Sequence, residues 1–260
     1  PLHPDSVVAV LLGHALNVDG VGALKLADLV FESDDKRENN RRRGDLSRRL
    51  QGATVIFSRR FGGLTDDGLL QMDGKQGDTL GGVVEVRVDG LPFGLGTHSQ
   101  WDLKLDGRLA QAVMAVQAIK GVEIGMGFES ARRRGSQVHD PIHFDDSQRE
   151  SANLGFVRPT NNAGGLEAGM TNGQPLILRA AKKPISTLRS PLPSINLKTK
   201  QPESAEYERS DVCAVSAASV IVENVVAFEI AAALVDKFGN DSLEEMKGRW
   251  DLFHQMARQR

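Results

Sequence analysis

The chain has 260 residues, with 32 Lys and Arg against 34 Asp and Glu, and a formal net charge of −2. With 40% apolar and 25% charged residues it is neither a disordered tail nor a fibre, and its balanced charge argues against a dedicated nucleic-acid binder. A single cysteine, Cys213, excludes an intrachain disulfide and a cysteine-based metal site, and the 6 histidines show no His-Glu-x-x-His pairing. No metal is therefore expected, and the compartment is expected to be reducing and cytoplasmic. The opening Pro1-Leu2-His3-Pro4-Asp5 has neither the basic start nor the small-residue cleavage site of a secretory leader, so none is expected.

Up to about residue 75 the pattern is weak. Residues 7–12 form a short apolar run, and residues 21–31 carry helical spacing through Leu24, Ala27 and Val30. Between 36 and 49, seven basic residues face only Glu38 and Asp45, which suits a solvated helix or loop, or an anion-binding surface. From Thr79 the pattern sharpens. Val84, Val86 and Val88 alternate with Glu85, Arg87 and Asp89, which predicts a half-buried strand. Leu105, Leu109, Ala112, Val113, Val116 and Ile119 recur at helical spacing, predicting an amphipathic helix over about 104–120 that Gly121 ends, then a short strand at 122–124.

A polar stretch from Phe128 to about Asn162, containing Arg132-Arg133-Arg134, reads as a long loop. Residues 175–181 read as another strand, and Pro184, Pro191 and Pro193 mark a connection. A long helix is expected from Cys213 to about Lys237, ended by Gly239-Asn240, with Asp241 or Ser242 capping a final charged helix. The apolar stretch 212–235 is long enough to span a bilayer. Glu223, Asn224 and Glu229 lie near its middle, however, and small residues abound, so it reads as a buried helix of a soluble protein. Glycine is frequent at 27 residues, with clusters at 77–96, 121–127 and 164–173 where backbone can approach a ligand closely. Strands and helices in succession, without an internal repeat, predict a mixed α/β or α+β domain.

Several separate motifs resemble one family. Thr79-Leu80-Gly81-Gly82, Gly90-Leu91-Pro92-Phe93-Gly94-Leu95-Gly96, Asp106-Gly107-Arg108-Leu109-Ala110-Gln111-Ala112-Val113-Met114 and Gln117-Ala118-Ile119-Lys120-Gly121-Val122-Glu123-Ile124-Gly125 are similar to the central part of chorismate synthase. Asn162-Ala163-Gly164-Gly165-Leu166-Glu167, Met170-Thr171-Asn172-Gly173, Lys183-Pro184-Ile185-Ser186-Thr187 and Arg209-Ser210-Asp211-Val212-Cys213-Ala214-Val215 continue the match, and Glu223 follows in the long helix. The resemblance covers roughly residues 75–245 in register. It identifies the chain as an N-terminally truncated or divergent member of the chorismate synthase family. The implied fold is α+β, a chorismate-synthase-like β-α-β sandwich incomplete at the N-terminus. Residues 1–75 are then a divergent N-terminal segment of the same domain as the 76–260 core.

The resemblance implies a lyase that converts 5-enolpyruvylshikimate 3-phosphate to chorismate and phosphate by 1,4-elimination, within aromatic amino acid biosynthesis. It implies reduced FMN as cofactor although no net redox change occurs, and a homotetramer that engages neither nucleic acid nor membrane. By motif, Arg209 would contact flavin and substrate, and Asp211 would sit by the flavin, bind substrate and help the proton step. Lys183, Pro184, Ile185, Ser186 and Thr187 would hold the FMN phosphate, and Gln117, Ala118 and Ala168 would contact flavin. His14, within Gly13-His14-Ala15, would be a second catalytic group, a sensible proton donor near neutral pH. Arg132-Arg133-Arg134 matches a basic run on a mobile loop over the site. Arginine and lysine charge suits phosphate and carboxylate, so the physical chemistry of these residues is compatible with the assignment.

The departures bear on activity. The family's Gly-Glu-Ser-His-Gly segment has no counterpart here, and its Arg-x-Ser-Ala-Arg-Glu-Thr flavin motif is matched only by scattered identities near Glu32-Ser33-Asp34-Asp35-Lys36-Arg37-Glu38. Met126 replaces an aspartate, Ala168 a glycine, Lys182 an apolar residue and Ser216 a proline. A non-catalytic remnant that keeps fold and subunit contacts is the alternative reading. An anion- or nucleic-acid-binding protein using residues 36–49 and 132–134 is a further one, disfavoured because 1 Tyr and 2 Trp leave few aromatics for base stacking.

Overall fold

The alternating valines form the centre of a sheet. A computed structural model describes residues 30–32, 56–62, 78–151, 153–206 and 211–259. Within it, β1 (Val30–Glu32), β2 (Ile56–Gly62), β3 (Gly82–Asp89), β9 (Leu176–Lys182) and β4 (Ile119–Ile124) make a five-stranded sheet in the order β1-β2-β3-β9-β4. The β1–β2 pair is parallel and the rest are antiparallel. Val84, Val86 and Val88 pair with Ala180, Leu178 and Leu176, and all six are fully buried on one face. The intervening residues form the opposite, solvated face, where Arg179 bridges Glu85 at 3.0 Å and Glu123 at 3.7 Å. A polar face opposite an apolar one is what period-two alternation produces.

Helices cover the apolar face. Leu105, Leu109 and Val113 line one stripe of α1 (Leu105–Met114) and are fully buried. After the short α2 (Gly135–Val138), the long α3 (Val215–Phe238) contributes Val222, Val226, Ile230 and Ala233 to the same core, and α4 (Leu243–Arg258) adds Met246 and Trp250. Arg108 ties α1 to α3 through Glu229 at 3.1 Å and Asp236 at 2.9 Å. Gly239 ends α3 at φ +89°, its N–H donating to the Val235 carbonyl at 2.8 Å. The Ser242 hydroxyl then caps α4 by accepting from the Glu245 N–H at 3.1 Å, so Ser242 rather than Asp241 is the cap.

Among the described residues, α3 is the one helix long and apolar enough to cross a membrane, and half of its most apolar window is buried against the rest of the fold. Glu223 lies inside that packing, fully buried. One face of this helix is therefore buried, as expected, while its Val220 and Ile221 are exposed.

Three expectations change. The helix predicted over 104–120 ends at Met114, because Ala118 turns the chain at φ +66° and Ile119 enters β4 opposite Lys182. Gly121 consequently sits at a β-bulge within β4 rather than at a helix end. Val30 and Phe31, at the end of a helical pattern in the sequence, are strand residues paired with Ile56 and Phe57. The polar stretch after Phe128 is broken into short pieces, including α2, β5 (His143–Phe144) and β6 (Phe156–Val157), the last two paired through Phe144 and Phe156. The chain then forms the small hairpins β7 (Leu166–Glu167) to β8 (Met170–Thr171) and β10 (Pro193–Ile195) to β11 (Pro202–Ser204). The apolar run at 7–12 and the basic run at 36–49 lie outside the described residues.

Candidate functional site

Where β9 ends, Pro184 cannot donate to a ladder, so the chain leaves the sheet as an irregular segment. Two separate stretches meet this segment, and a third joins one of them. The Lys183 N–H donates to the Ala118 carbonyl at 2.9 Å. The Thr79 hydroxyl donates to the Ile185 carbonyl at 2.5 Å. The Leu80 N–H donates to the Val212 carbonyl at 2.8 Å, and Leu80 forms a parallel bridge with Cys213, which brings Asp211 to the same end of the sheet. Gly81 makes the approach possible, since a Cβ there would lie 2.5 Å from the Lys182 carbonyl and 2.9 Å from the Pro184 ring.

Residues 79–81 thus meet Pro184 and Ile185 directly, Lys183 is held to Ala118, Ser186 and Thr187 follow in the same segment, Gln117 adjoins Ala118, and Asp211 adjoins Val212. Lys183, Ser186, Gln117 and Asp211 are exposed, whereas Ala118, Ile185 and Thr187 are half-buried. Ala118 holds a left-handed conformation, costly for a residue with a Cβ and common where surrounding structure fixes a functional turn. Residues 183–187 supply one ammonium and two hydroxyls and no carboxylate, a donor set that fits a phosphate monoester.

Ala168 is elsewhere. It occupies the β7–β8 turn at φ +53°, and the adjoining Gly169 carbonyl accepts the Leu105 N–H at 3.0 Å, so the turn sits at the N-terminal end of α1. Ala118 follows the other end of that helix, about 15 Å away at ~1.5 Å per residue. One chain therefore does not bring Ala168 to the 183–187 segment. His14 and Arg209 lie outside the described residues. Arg132 and Arg133 both pair with Glu129, at 3.4 and 2.9 Å, and Arg134 precedes α2. Of the departures from the family pattern, Lys182 and Met126 are half-buried and Ser216 is exposed.

Near Ala168 the structure reveals two residues that the sequence pattern does not single out. The Asp140 carboxylate accepts from the Thr160 hydroxyl at 2.6 Å and from the Asn162 and Ala163 N–H groups at 2.8 and 2.9 Å. Burial pushes its pKa up, but hydrogen bonds from Ala163, Thr160 and Asn162, with Arg158 nearby, outweigh that and hold it below the ordinary aspartate value. Arg158 donates to Glu167 at 2.9 Å, bracing the β7–β8 hairpin. A cleft of about 280 Å³ opens between Gly127, Ser130, His139, Asp140, Asn162 and Glu167. Neither Asp140 nor Arg158 has a local signal, because their partners come from other stretches of loop.

The comparisons with known proteins point one way. The family model for chorismate synthase matches residues 67–235. A chorismate synthase of Geobacter metallireducens is 62% identical over 176 residues, covering 67% of this chain and 45% of the relative. One from Desulforamulus reducens is 60% identical over 183 residues, covering 70% and 46%. A crystal structure of chorismate synthase superposes with a TM-score of 0.60 at 41% identity, covering 75% of this chain and 48% of that one. The chain spans about half the length of the curated relatives it matches. On the family model, these identities and the shared mixed α/β architecture, the chain belongs to the chorismate synthase family.

Proposed function

We propose that the chain serves as a chorismate synthase, a lyase removing phosphate and a ring proton from 5-enolpyruvylshikimate 3-phosphate, with reduced FMN as cofactor and in a homotetramer. The observation that carries this reading is that residues 79–81 join the 183–187 segment to residues 211–213, while the Ala118 turn holds the start of that segment through Lys183. Lys183, Ser186 and Thr187 would hold the FMN phosphate, and the Ala118 turn would contact the flavin. Bound FMN supplies electron density to a reaction without net redox change. Asp211, exposed and fixed through the Leu80–Val212 hydrogen bond, is the carboxylate assigned to the proton step. Arg209, two residues before it, supplies positive charge for the substrate's anionic groups. His14 is assigned as the second proton-transferring group, and the lone Cys213 supports a reducing, cytoplasmic setting.

The test is an anaerobic titration of the chain with reduced FMN and 5-enolpyruvylshikimate 3-phosphate, followed by phosphate release. Saturable binding with turnover supports the reading. Binding without turnover makes the chain a flavin-holding remnant, and no binding removes both.

A further inference from the structure

We propose that Thr79 is a positioning residue for the phosphate-holding segment, a role that rests on reading residues 183–187 as that segment. Because Pro184 lacks an N–H, the segment cannot continue the β9 ladder, and its hold on the fold must come through its other backbone groups. The Lys183 N–H supplies one anchor, on Ala118. Thr79 supplies the next, two residues on, through its hydroxyl to the Ile185 carbonyl. Thr79 is itself fixed: it is 7% exposed, and its N–H donates to the Asp78 carboxylate at 2.7 Å.

The two residues that follow extend the same clamp. The Leu80 N–H holds Val212 beside Asp211, and bare Gly81 lets the chain at Lys182 and Pro184 pack against it. Three consecutive residues therefore set where the segment begins, where its middle sits and where Asp211 lies relative to it. Removing the Thr79 hydroxyl strips the Ile185 carbonyl of that donor, and the backbone that carries Lys183, Ser186 and Thr187 loses one of its anchors.

The test splits the flavin. The full chain is titrated with FMN and, separately, with riboflavin, which lacks the phosphate. Thr79→Val, equal in shape but without a donor, is expected to weaken FMN binding by about tenfold while riboflavin stays within about twofold, and Thr79→Ser restores FMN affinity to within about threefold. Lys183→Ala gives the same FMN-only loss. Parent-like FMN binding by Thr79→Val, equal loss of both flavins, or failure of the serine rescue overturns the role of Thr79 alone. A parent chain that does not prefer FMN to riboflavin, or a Lys183→Ala chain that keeps its FMN affinity, sinks the phosphate-holding reading and the role with it. If the valine variant does not fold, Thr79→Cys, with similar volume and a weak donor, carries the same test: an FMN-only loss supports the role and unchanged affinity overturns it.

Discussion

Replacing glycine by alanine at two positions should have opposite consequences. At Gly81 an added Cβ would lie 2.5 Å from the Lys182 carbonyl oxygen and 2.9 Å from the Pro184 ring. Non-bonded heavy atoms rest near 3.5–4.0 Å, so the chain on one side must move by roughly 1 Å. Overpacking of this kind costs about 1–3 kcal/mol, against a gain of about 0.4–1 kcal/mol from the less flexible unfolded chain. Gly81 does not have a positive φ, so backbone strain adds nothing. The net expectation for Gly81→Ala is a loss of up to about 2.6 kcal/mol, together with weaker FMN binding, because the displaced atoms of Lys182 and Pro184 begin the 183–187 segment. Gly248 lies inside α4, and a Cβ there would meet nothing within 4 Å, so Gly248→Ala should stabilise by about 0.8–1 kcal/mol through helix propensity. Urea unfolding midpoints at matched slopes read both changes, and an FMN titration reads the local one. A neutral or stabilising Gly81→Ala with unchanged flavin affinity would refute the close-packed clamp.

Other expectations concern the scaffold and the chemistry. Arg108→Met should destabilise by about 1–3 kcal/mol, since it strands the largely buried Glu229 carboxylate; adding Glu229→Gln should recover part of that loss, and strictly additive effects in urea melts would argue against the pair. Asp140→Asn should cost about 1–3 kcal/mol at neutral pH, because one of three donors then meets an amide NH2. The folded pKa of Asp140 is lowered, so its stabilisation is complete above the unfolded value of about 3.9 and is lost as pH falls through the folded value. The difference between parent and variant should accordingly shrink below about pH 4, and a gap independent of pH would exclude the ionised carboxylate as its source. Asp211→Ala, at an exposed position, should abolish turnover while leaving the unfolding midpoint nearly unchanged; retained phosphate release would remove Asp211 from the proton step.

What can be read ahead of the structure follows from where the forces are local. β3 shows alternation because one of its faces is buried, and the cap at Ser242 and stop at Gly239 are backbone chemistry written in single residues. The periodicity over-extends α1 because Val116 and Ile119 continue the helical spacing, yet Ile119 reaches the core from a strand. β2 leaves no signal because Arg59 and Arg60 interrupt any alternation in Ile-Phe-Ser-Arg-Arg-Phe-Gly, and β1 is too short to show a period. The motifs name most of the candidate site, but only pairing across the fold shows that the Ala118 turn and the 183–187 segment touch while Ala168 stands at the far end of α1. The three donors around Asp140 are illegible in the sequence because they come from residues 160–163, a loop with no period to read.

The link from Thr79 to Ile185 spans 106 residues of chain. Closing a loop of that length carries an entropic cost growing as about (3/2)RT ln n, so the contact gains little until the intervening sheet and helices have formed. The clamp is therefore expected to form late in folding, and mutations confined to it should chiefly change the rate of unfolding. A flavin that binds only the closed clamp would raise the apparent stability of the whole cooperative unit by RT ln(1 + [L]/Kd), so the thermal midpoint of the sheet would become a concentration-dependent gauge of occupancy at the end of its strands.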